Sequence, residues 1–178
     1  GNNEGYSSDH HISQEDAEDL SKLGRTIVDS AQSVLKGNLM KAIQNDGAVA
    51  AIKFCNTEAN GLAKHLEAEY DVSIKRVSEK NRNPENTPSH NESNVLKKFS
   101  HGMEEGKMSD NILLSYADGR STFYTPILVG APCLTCHGSK DEMQPEIVSV
   151  IDSLYPDDKA FDYKTGDIRG LWAVTFQR

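Results

Sequence analysis

The segment Cys133-Leu134-Thr135-Cys136-His137-Gly138 constrains this chain more than any other stretch of it. Two thiols held two residues apart, with an imidazole directly after the second, match the spacing that fixes a haem's two vinyl groups as thioethers and presents a histidine to its iron. The chemistry needs each residue: thiols for the two bonds, a short connection to match the vinyl separation, and a neutral imidazole nitrogen as the proximal donor. Gly138 gives the backbone room to leave the crowded macrocycle edge. Two simpler readings compete, a local disulfide and half of a zinc site. Only Cys55 remains as a further thiol, and the usual structural zinc spacing is missing. The favoured reading is one covalently attached haem c, held by Cys133 and Cys136 with His137 on the iron.

At 178 residues the chain has the length of one domain with space for a helical extension. Its 27 acidic and 19 basic side chains give a net charge of −8, which argues against a nucleic-acid or anionic-membrane surface and leaves a basic protein partner or plain solubility. Covalent haem is attached outside the cytoplasm, so a periplasmic or otherwise extracytoplasmic location is expected; the cysteine count itself gives no disulfide framework. The sequence starts at Gly1 and has no apolar run long enough to span a bilayer. A signal peptide or membrane anchor in the full-length precursor is therefore expected to have been removed. The polar residues 1–12 are expected to be disordered.

Ser13-Gln14-Glu15-Asp16 reads as a helix start, followed by Leu20, Leu23, Ile27, Val28, Ala31, Val34 and Leu35 at helical spacing. Asn45-Asp46-Gly47 supplies a stop, and a second helix is expected from Ala48 to Tyr70, so that 13–70 forms a helical hairpin packed on the domain. The apolar stripe of this second helix (Ala48, Ala51, Ile52, Cys55, Ala59, Leu62, Ala63, Leu66) places Cys55 among alanines. There it is either a small buried hydrophobe or a ligand. Asp71 to Ser78 reads as a strand, Glu79 to His90 as a long loop and Asn91 to Gly106 as a helix with one apolar face. Ile112–Tyr116 and Ser121–Val129 flank the Asp118-Gly119 turn as a hairpin, with Pro126 marking an edge position or a bulge. Gln144 to Leu154 reads as a helix, and Gly166 to Gly170 leads into a last strand on which Trp172, Val174 and Phe176 face one way. The order of elements makes 71–178 an α+β domain, an antiparallel sheet with flanking helices.

Ala51-Ile52-Lys53-Phe54-Cys55, Arg76-Val77-Ser78, Arg82-Asn83-Pro84-Glu85-Asn86, Phe123-Tyr124-Thr125-Pro126-Ile127, Cys133 to Gly138, Tyr155-Pro156-Asp157-Asp158-Lys159-Ala160 and Gly166-Asp167-Ile168-Arg169-Gly170 together resemble the Tll0287-like family of haem domains. The resemblance covers about Ala48 to Phe176 and implies a c-type haem protein with a PAS-like fold. It also implies that Cys55 is the distal axial ligand opposite His137. The family usually carries an aromatic-acid pair after the Asn-Pro loop, where this chain has Ser89-His90-Asn91-Glu92.

Other side chains able to reach the iron are Met103, His65 and His101, but Met103 reads as core filler and His65, His90, His101, His10 and His11 as surface residues. Arg76, Arg82 and Arg169 are candidates for pairing with the haem propionates, against ordinary solvation. Phe99, Tyr124 and Pro126 are candidates for an apolar wall, against plain core packing. Thiolate opposite imidazole favours ferric iron and lowers the potential. The expected function is thus a low-potential electron-transfer cytochrome with a redox partner protein. The alternative is a redox or gas sensor in which CO or NO displaces Cys55. No acid–base pair suited to a haem enzyme such as a peroxidase is visible, so no enzymatic activity is expected.

Overall fold

The computed structural model describes residues 12–57, 61 and 63–177. Helix α1 (Gln14–Thr57) starts where Ser13 caps it, its Oγ accepting from the Asp16 N–H at 3.0 Å. Gly47, at φ 82° and ψ 174°, breaks it into two arms, 14–46 and 48–57. Glycine alone takes that φ without steric cost. The expected run from Ala48 to Tyr70 is divided: α1 ends at Thr57, and a separate helix α2 spans Lys64–Tyr70 and closes on Asp71 in the left-handed conformation. Residues 1–11, expected to be disordered, lie outside the described residues, as do Ala59 and Leu62 of the expected stripe.

Four strands form one antiparallel sheet in the order β1-β4-β3-β2: β1 Val72–Val77, β2 Ile112–Ser115, β3 Ser121–Leu128 and β4 Ile168–Phe176. The sheet with its flanking helices is the expected PAS-like α+β architecture. Period-two alternation gives it two apolar faces. One carries Val72, Phe123, Trp172, Val174 and Phe176 against Ile27, Val28 and Ala31 of α1 and Leu66 of α2. Gly24 lets the helix settle there, since a Cβ at that position would lie 2.4 Å from the Phe123 ring.

Helix α3 (His90–Glu104) covers the other face, packing Val95, Leu96 and Phe99 on Val77, Tyr124, Leu171 and Ala173. It begins one residue earlier than expected, behind a capping box in which Ser89 and Glu92 satisfy each other's backbone N–H. Lys75 of β1 reaches the same carboxylate, Nζ to Oε1 2.9 Å, which fixes the helix start to the sheet.

Pro126 pairs with Leu171 of β4, beyond the last residue of β2 paired with β3, so no β2 residue needs its missing N–H. Immediately after it the β3–β4 register slips, from Ile127 opposite Gly170 to Leu128 opposite Ile168. The residue left over is Arg169. A bulge re-aims its side chain. Gly170 is required beside it, because a Cβ there would stand 2.3 Å from the Val77 carbonyl oxygen of β1. Two further helices, α4 (Leu134–His137) and α5 (Pro145–Leu154), follow β3. Ile52 from the second arm of α1 packs against Met143, Ile147, Ile151 and Tyr155, with half-buried Cys136 beside them. Through that contact α1 brings Cys55 to the cysteine–histidine segment.

Candidate functional site

Cys133 closes a 3₁₀ turn (Ala131–Cys133), its Sγ accepting from the Gly130 N–H at 3.4 Å, and the next four residues wind into α4. One helical turn places Cys136 and His137 half-buried while Cys133 stays exposed. Gly138 ends the turn, its N–H donating to Leu134 O at 2.9 Å. A Cβ at Gly138 would lie 2.7 Å from that same oxygen, so the requirement for glycine arises within the turn itself.

A strap formed by residues 158–163 holds the segment from the other side. Tyr163 N–H donates to His137 O at 3.0 Å and Asp162 N–H to Gly138 O at 2.9 Å. The His137 ring is oriented by Nδ1 and the carbonyl of Ala160, 2.8 Å apart. A carbonyl only accepts, so the proton sits on Nδ1 and Nε2 keeps its lone pair. Burial, with Arg169 and Arg82 nearby, pushes the imidazole down to about 3. At neutral pH it is an uncharged donor, the form that binds a metal.

Arg82 ties strap to turn. Its Nε and Nη2 lie 3.1 and 3.0 Å from the two carboxylate oxygens of Asp158, and Nη2, whose two hydrogens are shared among three acceptors, also donates to Cys136 O at 2.7 Å and Ala160 O at 3.0 Å. Side-chain exposures of 10% and 2% make this a buried, bidentate ion pair. Asp158 Oδ1 accepts in addition from the Ala160 N–H at 2.8 Å. Nε and Nη2 of Arg82 are thereby engaged in holding the loop.

Cys55, Arg76 and Arg169 complete the cluster. Burial pushes the Cys55 thiol up, against the pull of the Arg76 and Arg82 guanidinium groups. Cys136 is likewise raised by burial, with Arg82 opposing and Cys55 and Cys133 adding to the rise. Tyr155 is pushed up to about 12 by burial and by Cys55. Arg76 stacks over the Trp172 ring at 5.6 Å, and burial lowers its pKa. Arg169, turned by the bulge, lies 5.4 Å over the Tyr163 ring and donates to Ser78 Oγ at 2.9 Å and Lys80 O at 3.2 Å. Its hydrogen-bond acceptors, Ser78 Oγ and Lys80 O, are neutral, so its charge stays available to an anion.

Phe99 and Tyr124 are placed elsewhere. Both are buried under α3 against the sheet, and Tyr124 pairs its hydroxyl with that of Tyr116 at 2.9 Å. They pack in the core between α3 and the sheet, the other use weighed for them. Pro126 is half-buried on β3 in the same strand. His101 pairs with Glu105 at the surface, and His65 and His90 are exposed. His10 and His11 lie outside the described residues. All three cysteines are free thiols, and among the described residues no group of three or more His, Cys, Asp or Glu side chains is placed to hold a metal ion, which leaves the zinc reading without further donors.

Asp158, Tyr155, Tyr163 and the Ala160 carbonyl are site groups that sequence reasoning did not single out. The Tyr155–Ala160 stretch carried part of the family resemblance, but nothing local shows that its carboxylate meets an arginine 76 residues away.

A family model described as Tll0287-like matches residues 10–177. The chain belongs to the Tll0287-like family. Among solved structures the fold is similar to that of the cyanobacterial heme-protein Tll0287, with a TM-score of 0.68 and 22% identity, covering 94% of this chain and 98% of the other. At that identity the likeness speaks for the fold. No curated protein matches this chain.

Proposed function

We propose that this member of the Tll0287-like family is a c-type cytochrome: it carries one haem attached through Cys133 and Cys136, with His137 and Cys55 as axial ligands, and works as a low-potential electron-transfer protein outside the cytoplasm. One observation carries the reading. The strap holds His137 as a neutral imidazole with Nε2 free, one residue from a thiol, in a cluster that also contains Cys55 and two half-buried arginines. The donor set suits haem iron, and the solved structure of similar fold is described as a heme-protein.

Each residue has a definite task. The exposed Cys133 and half-buried Cys136 supply the thioether sulfurs from one turn. Arg76 and Arg82 lower the cost of a negative charge on Cys55, which favours the thiolate as donor. Arg169, and Arg76 beside it, offer guanidinium groups to the carboxylates of the macrocycle. When bound, the haem supplies a one-electron iron couple, and an anionic sulfur donor shifts that couple toward the ferric form. The physiological role proposed is electron exchange with a redox partner protein, without enzymatic turnover.

The electron paramagnetic resonance spectrum of the ferric protein, with Cys55→Ser beside it, tests the assignment. The expected result is the narrow low-spin g spread of thiolate ligation, lost in the variant. A bis-histidine or histidine–methionine spectrum left unchanged by the substitution would refute Cys55 as ligand. Protein matured with haem-attachment machinery that carries no covalent haem would refute the whole reading.

A further inference from the structure

We propose that Arg82 is a positioning residue that acts through the Ala160 carbonyl to weaken the donor strength of His137, and that it thereby raises the reduction potential of the site. The proposal rests on the haem reading above and adds to it a residue outside the ligand set.

The geometry is a shared acceptor. The Ala160 carbonyl oxygen takes the His137 Nδ1–H at 2.8 Å and an Arg82 Nη2–H at 3.0 Å. A carbonyl pulling on Nδ1–H gives the ring partial imidazolate character and makes Nε2 a stronger donor to a metal. A cationic donor on the second lone pair draws electron density away from that oxygen, so it pulls less on the imidazole. The guanidinium is therefore a brake on the histidine.

Arg82 cannot turn away from this task. Asp158 grips it through two oxygens, and the Cys136 carbonyl takes a third contact at 2.7 Å. Asp158 also binds the Ala160 N–H, so one buried ion pair fixes the residue whose carbonyl orients the ligand. A staple joining two loops would need the Asp158 pair alone. The Nη2 contact with Ala160 is the additional feature, and it falls on the one backbone oxygen that His137 uses.

The test keeps net charge constant. Arg82→Gln with Asp158→Asn removes one positive and one negative charge together, so net charge is unchanged, and the His137 Nδ1 proton shift separates an altered bond to Ala160 from the residual field of the lost ion pair. The expected result is an approximately tenfold rise in the ferric-to-ferrous ratio at fixed solution potential, which is 59 mV for a one-electron couple. The Nδ1 proton of His137 should also move downfield in the reduced protein, reporting a stronger bond to Ala160. Covalent haem with an unchanged potential, or an unmoved proton, overturns the proposal. Should the double variant fail to fold, Arg82→Lys keeps the ion pair but loses the planar fork that reaches Ala160, and the same two readouts decide. Wild-type protein without covalent haem removes the functional reading itself, whereas haem-bearing variants with unaltered potential remove only the role of Arg82.

Discussion

Asp158→Ala should destabilise the fold far more than an average substitution. The change leaves the Arg82 guanidinium, 10% exposed, without its carboxylate, and breaking a buried pair from one side costs about 3–5 kcal/mol. The Ala160 N–H loses its acceptor as well, a further loss of about 1 kcal/mol. For a domain of this size a total of about 5 kcal/mol lowers the melting temperature by roughly 10–20 °C. The informative comparison is Arg82→Met with Asp158→Leu. An isolated buried pair replaced by apolar side chains is often neutral or stabilising. Here Arg82 also serves the carbonyls of Cys136 and Ala160. Ala160 retains His137 as donor, but Cys136 O is left short of a partner at a cost of about 1–3 kcal/mol. The double variant should therefore recover only part of the loss. Urea unfolding, read as a shift in midpoint at constant slope, measures both values. A single variant within about 1 kcal/mol of wild type, or a double variant as stable as wild type, would refute the view that Arg82 holds the strap and the Cys133–His137 turn together.

Two further outcomes follow from the scaffold. Gly170→Ala forces the end of β1 away from β4, because the new methyl would lie 2.3 Å from Val77 O; a loss of about 1–3 kcal/mol is expected, and thermal melting at wild-type stability would contradict the contact. Glu92 gives a pH signature: burial raises its pKa, but the bonds from Lys75 and Ser89 lower it further, so it ends below its ordinary 4.5. Because the folded value lies below the unfolded one, the contribution of Glu92 is complete above pH 4.5 and disappears as pH falls through the folded value. The stability gap between wild type and Glu92→Gln should accordingly shrink below pH 4.5, and a gap independent of pH between 3 and 6 would show that the carboxylate is not held by Lys75.

What could be read from the chain, and what could not, divides along a physical line. Strand alternation gave the shared face of Trp172, Val174 and Phe176, and Pro126 foretold the irregularity beside it, since both signals are local. The Ser89–Glu92 capping box was equally local and explains why α3 starts at His90. The order β1-β4-β3-β2 was not legible, because pairing Val77 with Leu171 depends on chain closure and leaves no mark on either residue. The use of Phe99 and Tyr124 was not legible for a related reason: an apolar face that covers a cofactor and one that packs a helix on a sheet have the same composition. The site divides in the same way. Attachment needs two sulfurs at a fixed separation, so Cys133, Cys136 and His137 must stand together in sequence. Orientation of the imidazole needs only one oxygen at the right place, and Ala160 supplies it from a backbone atom that any residue type possesses. The side chains on which the haem reading rests are thus written in the sequence, while the group that orients His137 is placed by the fold, as a carbonyl shared between His137 and Arg82.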